Sequence, residues 1–132
     1  MTEERAKRKL SGILSADPAG YSRLMQEDET STIRNLKDSK KLMDELIEQF
    51  KGRVVDAPGD NLLAEFISVV DAIECAVKIQ QELKIKNEEL PDNSKMQFRI
   101  RVNLGDVVEE ADRIYGDGVM VRFAREISID GQ

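Results

Sequence analysis

Met96-Gln97-Phe98-Arg99-Ile100-Arg101-Val102-Asn103-Leu104 alternates without a break. Met96, Phe98, Ile100, Val102 and Leu104 fall on one side of an extended chain, and Gln97, Arg99, Arg101 and Asn103 on the other. A period of two marks a strand that buries one face only. Upstream, Ser68 and Asp71 form a capping-box-like start to a helix that runs to about Glu89, before Pro91. Its buried face is expected to carry Ile73, Ala76, Val77 and Leu83. Arg53–Asp56 and Asn61–Phe66 flank Ala57-Pro58-Gly59-Asp60 and read as a hairpin, since Pro-Gly between apolar runs signals a turn. Asp28–Phe50 is a strong helix pattern, with Ile33, Leu36, Met43, Ile47 and Phe50 on one face and Leu42 and Leu46 beside it. Asp28 or Thr30 caps its start and Gly52 follows its end. Lys9–Ala16 is a first strand ending at Asp17-Pro18, and Gly20–Gln26 a short helical turn. Downstream, Gly105-Asp106 is expected to turn the chain and Val107-Val108 to begin a returning strand. The order βαββαβ predicts an α+β, ferredoxin-like antiparallel sheet with helices on one face and the other face open.

Composition narrows the chemistry. The chain has 132 residues, about one domain, and a chain of this size buries roughly two-thirds of its unfolded surface. Residues 1–8 read as an N-terminal extension, with Arg5–Lys9 a linker remnant, and 9–132 as the domain. Twenty basic against 26 acidic side chains give a net charge of -6, which argues against broad binding to nucleic acid or anionic lipid. No apolar run is long enough to span a membrane and no apolar stretch follows the charged start, so a cytoplasmic location is expected. A single cysteine, Cys75, excludes an internal disulfide framework and reads as a core thiol. With no histidine, His-based zinc sites and Ser-His or Cys-His catalysis are excluded, leaving carboxylate, Lys/Arg and backbone chemistry.

Two carboxylates stand where loops leave strands: Asp17 after the first strand and Asp60 at the hairpin tip. In a ferredoxin-like sheet the first and third strands are central neighbours, so these two positions converge at one sheet edge. Two hard carboxylates suit Mg²⁺ or Mn²⁺ held together with phosphate oxygens. Ala19-Gly20-Tyr21-Ser22 follows at once, with Gly20 permitting close backbone approach and a helix start attracting phosphate. Each piece also has a plain reading: Asp before Pro often just initiates a turn, and Gly-Asp is common at hairpin tips.

These residues resemble class III adenylate/guanylate cyclases. Leu14–Ser22 resembles the family's first metal motif. Gly52-Arg53-Val54-Val55 followed by Gly59–Phe66 resembles the second. Asp71-Ala72-Ile73 with Ala76, then Phe98–Val107, then Ile114–Val119 resemble the segments that follow, in order and with family spacing over about residues 9–119. The resemblance implies conversion of a nucleoside triphosphate, ATP being favoured, to a 3′,5′-cyclic monophosphate and pyrophosphate. It implies two Mg²⁺ or Mn²⁺ ions on Asp17 and Asp60, with the main-chain carbonyl of Pro18 also facing a metal, and phosphate binding along Ala19–Ser22. It further implies a homodimer, in which one chain supplies metals and the other an asparagine and an arginine.

The chain also departs from the family pattern. Where the pattern reads Asn-Val-Ala-Ala-Arg, this chain has Met120-Val121-Arg122-Phe123-Ala124, with Arg125 one place late. Met120 cannot hydrogen-bond a ribose, and a one-place shift turns a helical side chain by about 100°. The chain stops at Gln132, so the resemblance implies a domain lacking its C-terminal part and impaired in turnover. At the base-selecting positions stand Asp56 and Arg113, both changed, which leaves ATP and GTP unseparated. Arg101 replaces a usual glycine on the polar sheet face and either obstructs the cleft or holds phosphate. Two functions lead, an impaired cyclase or a catalytically inactive dimerisation and regulatory module of the same fold; a generic ferredoxin-like ligand sensor follows only if the motif set is accidental.

Overall fold

The computed structural model describes residues 6–57, 59–110 and 120–129. The elements follow in the order β1 (Ala6–Pro18), α1 (Tyr21–Glu27), α2 (Glu29–Gln49), β2 (Gly52–Asp56), β3 (Leu62–Phe66), α3 (Val69–Glu88), β4 (Phe98–Glu110) and β5 (Met120–Ile129). The sheet is antiparallel with spatial order β2-β3-β1-β4-β5. Strands β1 to β4 thus form the ferredoxin-like order expected from the alternation, with β5 added at one edge.

The core lies between the sheet and the two long helices. Leu14, Ala16, Leu62, Ala64, Phe66, Phe98, Ile100 and Val102 meet Leu36, Met43, Leu46, Ile47, Ala72, Cys75, Ala76, Ile79 and Leu83. Asp28 caps α2, its side chain accepting from the Ser31 N–H at 3.0 Å, and Ser68 caps α3 in the same way through the Asp71 N–H at 3.2 Å. Gly12 faces α3 directly, since a Cβ there would lie 2.9 Å from the Val69 Cα. Cys75 is fully buried, and burial pushes its thiol up to about 12. It is expected to stay unmodified by a disulfide reagent at pH 8 in the folded chain and to react fully once denatured. Stoichiometric labelling of the native chain within seconds would contradict this.

Several boundaries and faces differ from the sequence reading. Ile33 and Val77 were expected in the core but are 43% and 41% exposed. The buried stripe of α2 is rotated onto Thr32, Asn35, Leu36, Ser39, Met43, Leu46 and Ile47, because polar members of it find partners. The Thr32 hydroxyl donates to the Leu24 carbonyl, and the Asn35 amide to the Ser94 carbonyl at 2.8 Å. The Lys86 ammonium of α3 donates to Asn35 and Ser39, and its burial lowers the amine below the ordinary lysine range, partly offset by Asp38. The expected turn at Gly105-Asp106 is absent. β4 continues to Glu110, and the ladder accommodates the glycine by a register shift against β5, where Leu104 pairs with Arg125 and Gly105 with Phe123. Val107-Val108 therefore continue β4 rather than return, and pair with β1 as far as Ala6 opposite Glu110. From Ala6 on, the supposed linker remnant is strand.

Candidate active site

The site grows from the sheet's register. On β1, Ser15 and Asp17 alternate with the core residues Leu14 and Ala16, so they belong to the face opposite the helices. β1 pairs with β3 through Ala16 and Leu62, and the chain leaves β1 where β3 begins. Asp17 and the tip residues Asp60 and Asn61 thereby lie at the same end of the sheet, as the sequence reading expects. β4 brings a second set: Arg99 is the register partner of Asp17, and Arg101 of Ser15.

A recess of about 340 Å³ opens here, lined among others by Ser15, Asp17, Asp56, Asn61, Leu63 and Arg101. Asp60 is half-buried at the tip and does not line this recess. Asp56 reaches the recess through a β-bulge. Val54 pairs with Ala64, but Asp56 pairs with Leu63, so β2 uses one residue more than β3. Without the extra residue, Asp56 would share the face of Val54, which packs against the core. The Asp56 carboxylate also accepts from the Ala57 N–H at 2.9 Å.

Two cationic side chains that sequence reasoning did not single out shape the site. The Arg99 guanidinium meets the Asp17 carboxylate at 2.6 Å. Lys40, from α2, donates to the Gly59 carbonyl at 2.6 Å and to that of Ala57 at 3.4 Å, tying the hairpin tip to the helix layer. Gly59 has φ +57°, a left-handed conformation suited to glycine at such a tip. Arg99 was visible as a polar-face residue, but its partner follows only from the β1–β4 register. Lys40 carries no sequence signal beyond its place in a lysine-rich helix.

The expected phosphate loop is placed in part. Gly20 adopts φ +67° and immediately precedes α1. The Ala19 N–H, however, is held by the Gln97 carbonyl at 2.7 Å, so Ala19 has no free N–H to offer a phosphate. Pro18 closes β1 opposite Phe98, and Tyr21 and Ser22 open α1. Arg113 lies outside the described residues. Met120 and Arg125 lie in β5, with backbone partners Val108 and Leu104, so this segment is strand and not the helix that the resemblance implied. Val121, Ile127 and Ile129 are β-branched, the residue type that favours a pleated edge.

Asp17 and Asp60 suit a hard divalent cation, since Mg²⁺ is commonly held by one or two carboxylates together with substrate phosphates. Among the described residues no group of three or more His, Cys, Asp or Glu side chains could hold a metal, so water, main-chain carbonyls or substrate phosphates would complete the coordination. No helix among the described residues is long and apolar enough to cross a membrane.

No family model matches the chain. Putative adenylate cyclase 3 of Rhizobium meliloti (strain 1021) is 43% identical over 131 residues, which is 98% of this chain and 22% of that protein. The crystal structure of an adenylate/guanylate cyclase/hydrolase from Silicibacter pomeroyi superposes with a TM-score of 0.73 at 42% identity, covering 85% of this chain and 66% of that one. The adenylyl cyclase CyaB from P. aeruginosa shares the fold at 16% identity, with a TM-score of 0.72 over 96% of this chain and 76% of that one. The chain belongs to the class III adenylate/guanylate cyclase family. It spans about a fifth of the length of that Rhizobium meliloti relative.

Proposed function

We propose that this chain supplies the metal-binding half of a nucleotide cyclase site, acting on a nucleoside triphosphate, ATP first, within a homodimer. The observation that carries the reading is that the end of β1 bearing Asp17 and the hairpin tip bearing Asp60 lie at one end of the sheet, beside an open recess lined in part by Asp17 and Asp56. In the reaction the ribose 3′-oxygen attacks the α-phosphorus. The new O–P bond forms as the bond from the α-phosphorus to the bridging oxygen breaks, pyrophosphate leaves, and the hydroxyl proton passes to solvent. Mg²⁺ or Mn²⁺, when bound, would neutralise phosphate charge and acidify the 3′-hydroxyl. Asp17 and Asp60 would hold that charge in place, and Lys40 ties the hairpin tip that carries Asp60 to α2 through the Gly59 carbonyl. Positioning and charge stabilisation supply most of the catalysis in phosphoryl transfer.

The test is cyclic nucleotide formation from ATP and from GTP by the purified chain in excess Mn²⁺, against an Asp17→Ala/Asp60→Ala control. Cyclic AMP above the control is the expected result, and product equal to the control overturns the reading. A second reading has its own support. Met120 and Arg125 lie in a strand where the resemblance implied a helix bearing the ribose and phosphate contacts. A regulatory module of cyclase fold, dimeric and indifferent to nucleotide and Mn²⁺, fits that feature.

A further inference from the structure

We propose that Arg99 is a built-in counter-cation for Asp17 that competes with the divalent metal, so that it sets how tightly this site loads. The proposal rests on the reading of Asp17 as a metal ligand. The contact, 2.6 Å from the Arg99 Nη2 to the Asp17 Oδ2, is among the shortest ion pairs in the described residues. It is imposed by the sheet: the two residues are direct partners across β1 and β4, in a ladder that runs unbroken from Ala6 to Pro18. Arg99 cannot drift off by rotation of a loose loop.

The pair is poorly suited to a purely structural role. Both side chains reach solvent, Arg99 at 58% and Asp17 at 29%, and exposed pairs of this kind contribute little to folding. Its position is more telling than its strength. The carboxylate oxygen in the pair would also be a metal donor, and a divalent ion there would sit beside a fixed positive charge. Metal and guanidinium therefore exclude one another at that oxygen, and Asp17 exchanges one cation for another.

This makes the sign of a substitution diagnostic. Removing a merely structural side chain from a metal site weakens the site, whereas removing a competitor strengthens it. Arg99→Gln keeps most of the length and hydrogen-bonding capacity and removes the charge. Mn²⁺ alone, titrated into the nucleotide-free chain and followed by the loss of its free-ion paramagnetic resonance signal, is expected to bind Arg99→Gln about tenfold more tightly than the unaltered chain. Arg99→Lys, which keeps the charge, is expected to stay near the unaltered affinity. Asp17→Asn is expected to lose the site in either background. Equal or weaker binding by Arg99→Gln, with Asp17→Asn still losing the site, overturns the competition and leaves the metal assignment standing. Unchanged binding by Asp17→Asn overturns the metal assignment itself. Thermal melts of each variant establish that the fold is retained, and Arg99→Lys supplies the comparison should Arg99→Gln not fold.

Discussion

Asp60→Ala is expected to abolish metal-dependent nucleotide binding, lowering affinity in Mn²⁺ by about a hundredfold or more while leaving the metal-independent remainder unchanged. The argument is one of donor supply. Among the described residues no group of three acidic side chains is placed to hold a metal, so on the proposed reading losing Asp60 removes one of two carboxylate ligands. Collapse of the hairpin would not explain the loss. The tip is held through main-chain carbonyls of Ala57 and Gly59 by Lys40, and these persist when the Asp60 side chain is cut back. Titration of a fluorescent nucleotide with and without Mn²⁺, beside a thermal melt, separates the two causes. An unchanged affinity in Mn²⁺ removes Asp60 from the site.

Phe66→Ala is expected to cost about 3–5 kcal/mol of folding free energy, the range for deleting a large buried aromatic. That is a large share of the roughly 5–15 kcal/mol that holds a domain of ordinary stability. Phe66 is 1% exposed and closes β3 between Gly52 of β2 and Gly12 of β1. Its ring lies so close over Gly52 that an added Cβ would come within 2.5 Å of it. The absent side chain of Gly52 is the space the ring fills. Surrounding backbone is tied into the ladder on both sides and cannot collapse into the void, which places the expected cost toward the upper end. Urea unfolding followed by circular dichroism checks it, and a loss below about 1 kcal/mol would show that neighbouring side chains repack freely.

Much of this architecture was legible in the chain. The alternation around Ile100 identified β4, Pro58-Gly59 the hairpin, and Asp28 and Ser68 the helix starts, because each rests on contacts a few residues apart. What escaped depends on partners distant in sequence. Gly105-Asp106 has the composition of a turn, yet pairing with β1 on one side and β5 on the other keeps it extended. β5 was hidden because the resemblance implied a helix there, while its β-branched residues pointed to a strand. Ile33 and Val77 look like core residues by type alone, but Thr32, Asn35, Ser39 and Gln80 take buried positions through hydrogen bonds that no periodicity reveals. For the site, the positions of Asp17 and the hairpin tip followed from topology. The Arg99 contact required the register, and the reach of Asp56 required the bulge.

The extra residue at Val55 divides the labour of a short edge strand. Ahead of it, Gly52 and Val54 answer to packing, and any change there is weighed against the stability of the whole domain. Beyond it, Asp56 faces the recess, its carboxylate accepting from the Ala57 N–H rather than packing in the core. Position 56 can therefore carry an acidic, basic or polar side chain without placing it in the core. The bulge thus uncouples what lines the recess at position 56 from what the core requires at position 54.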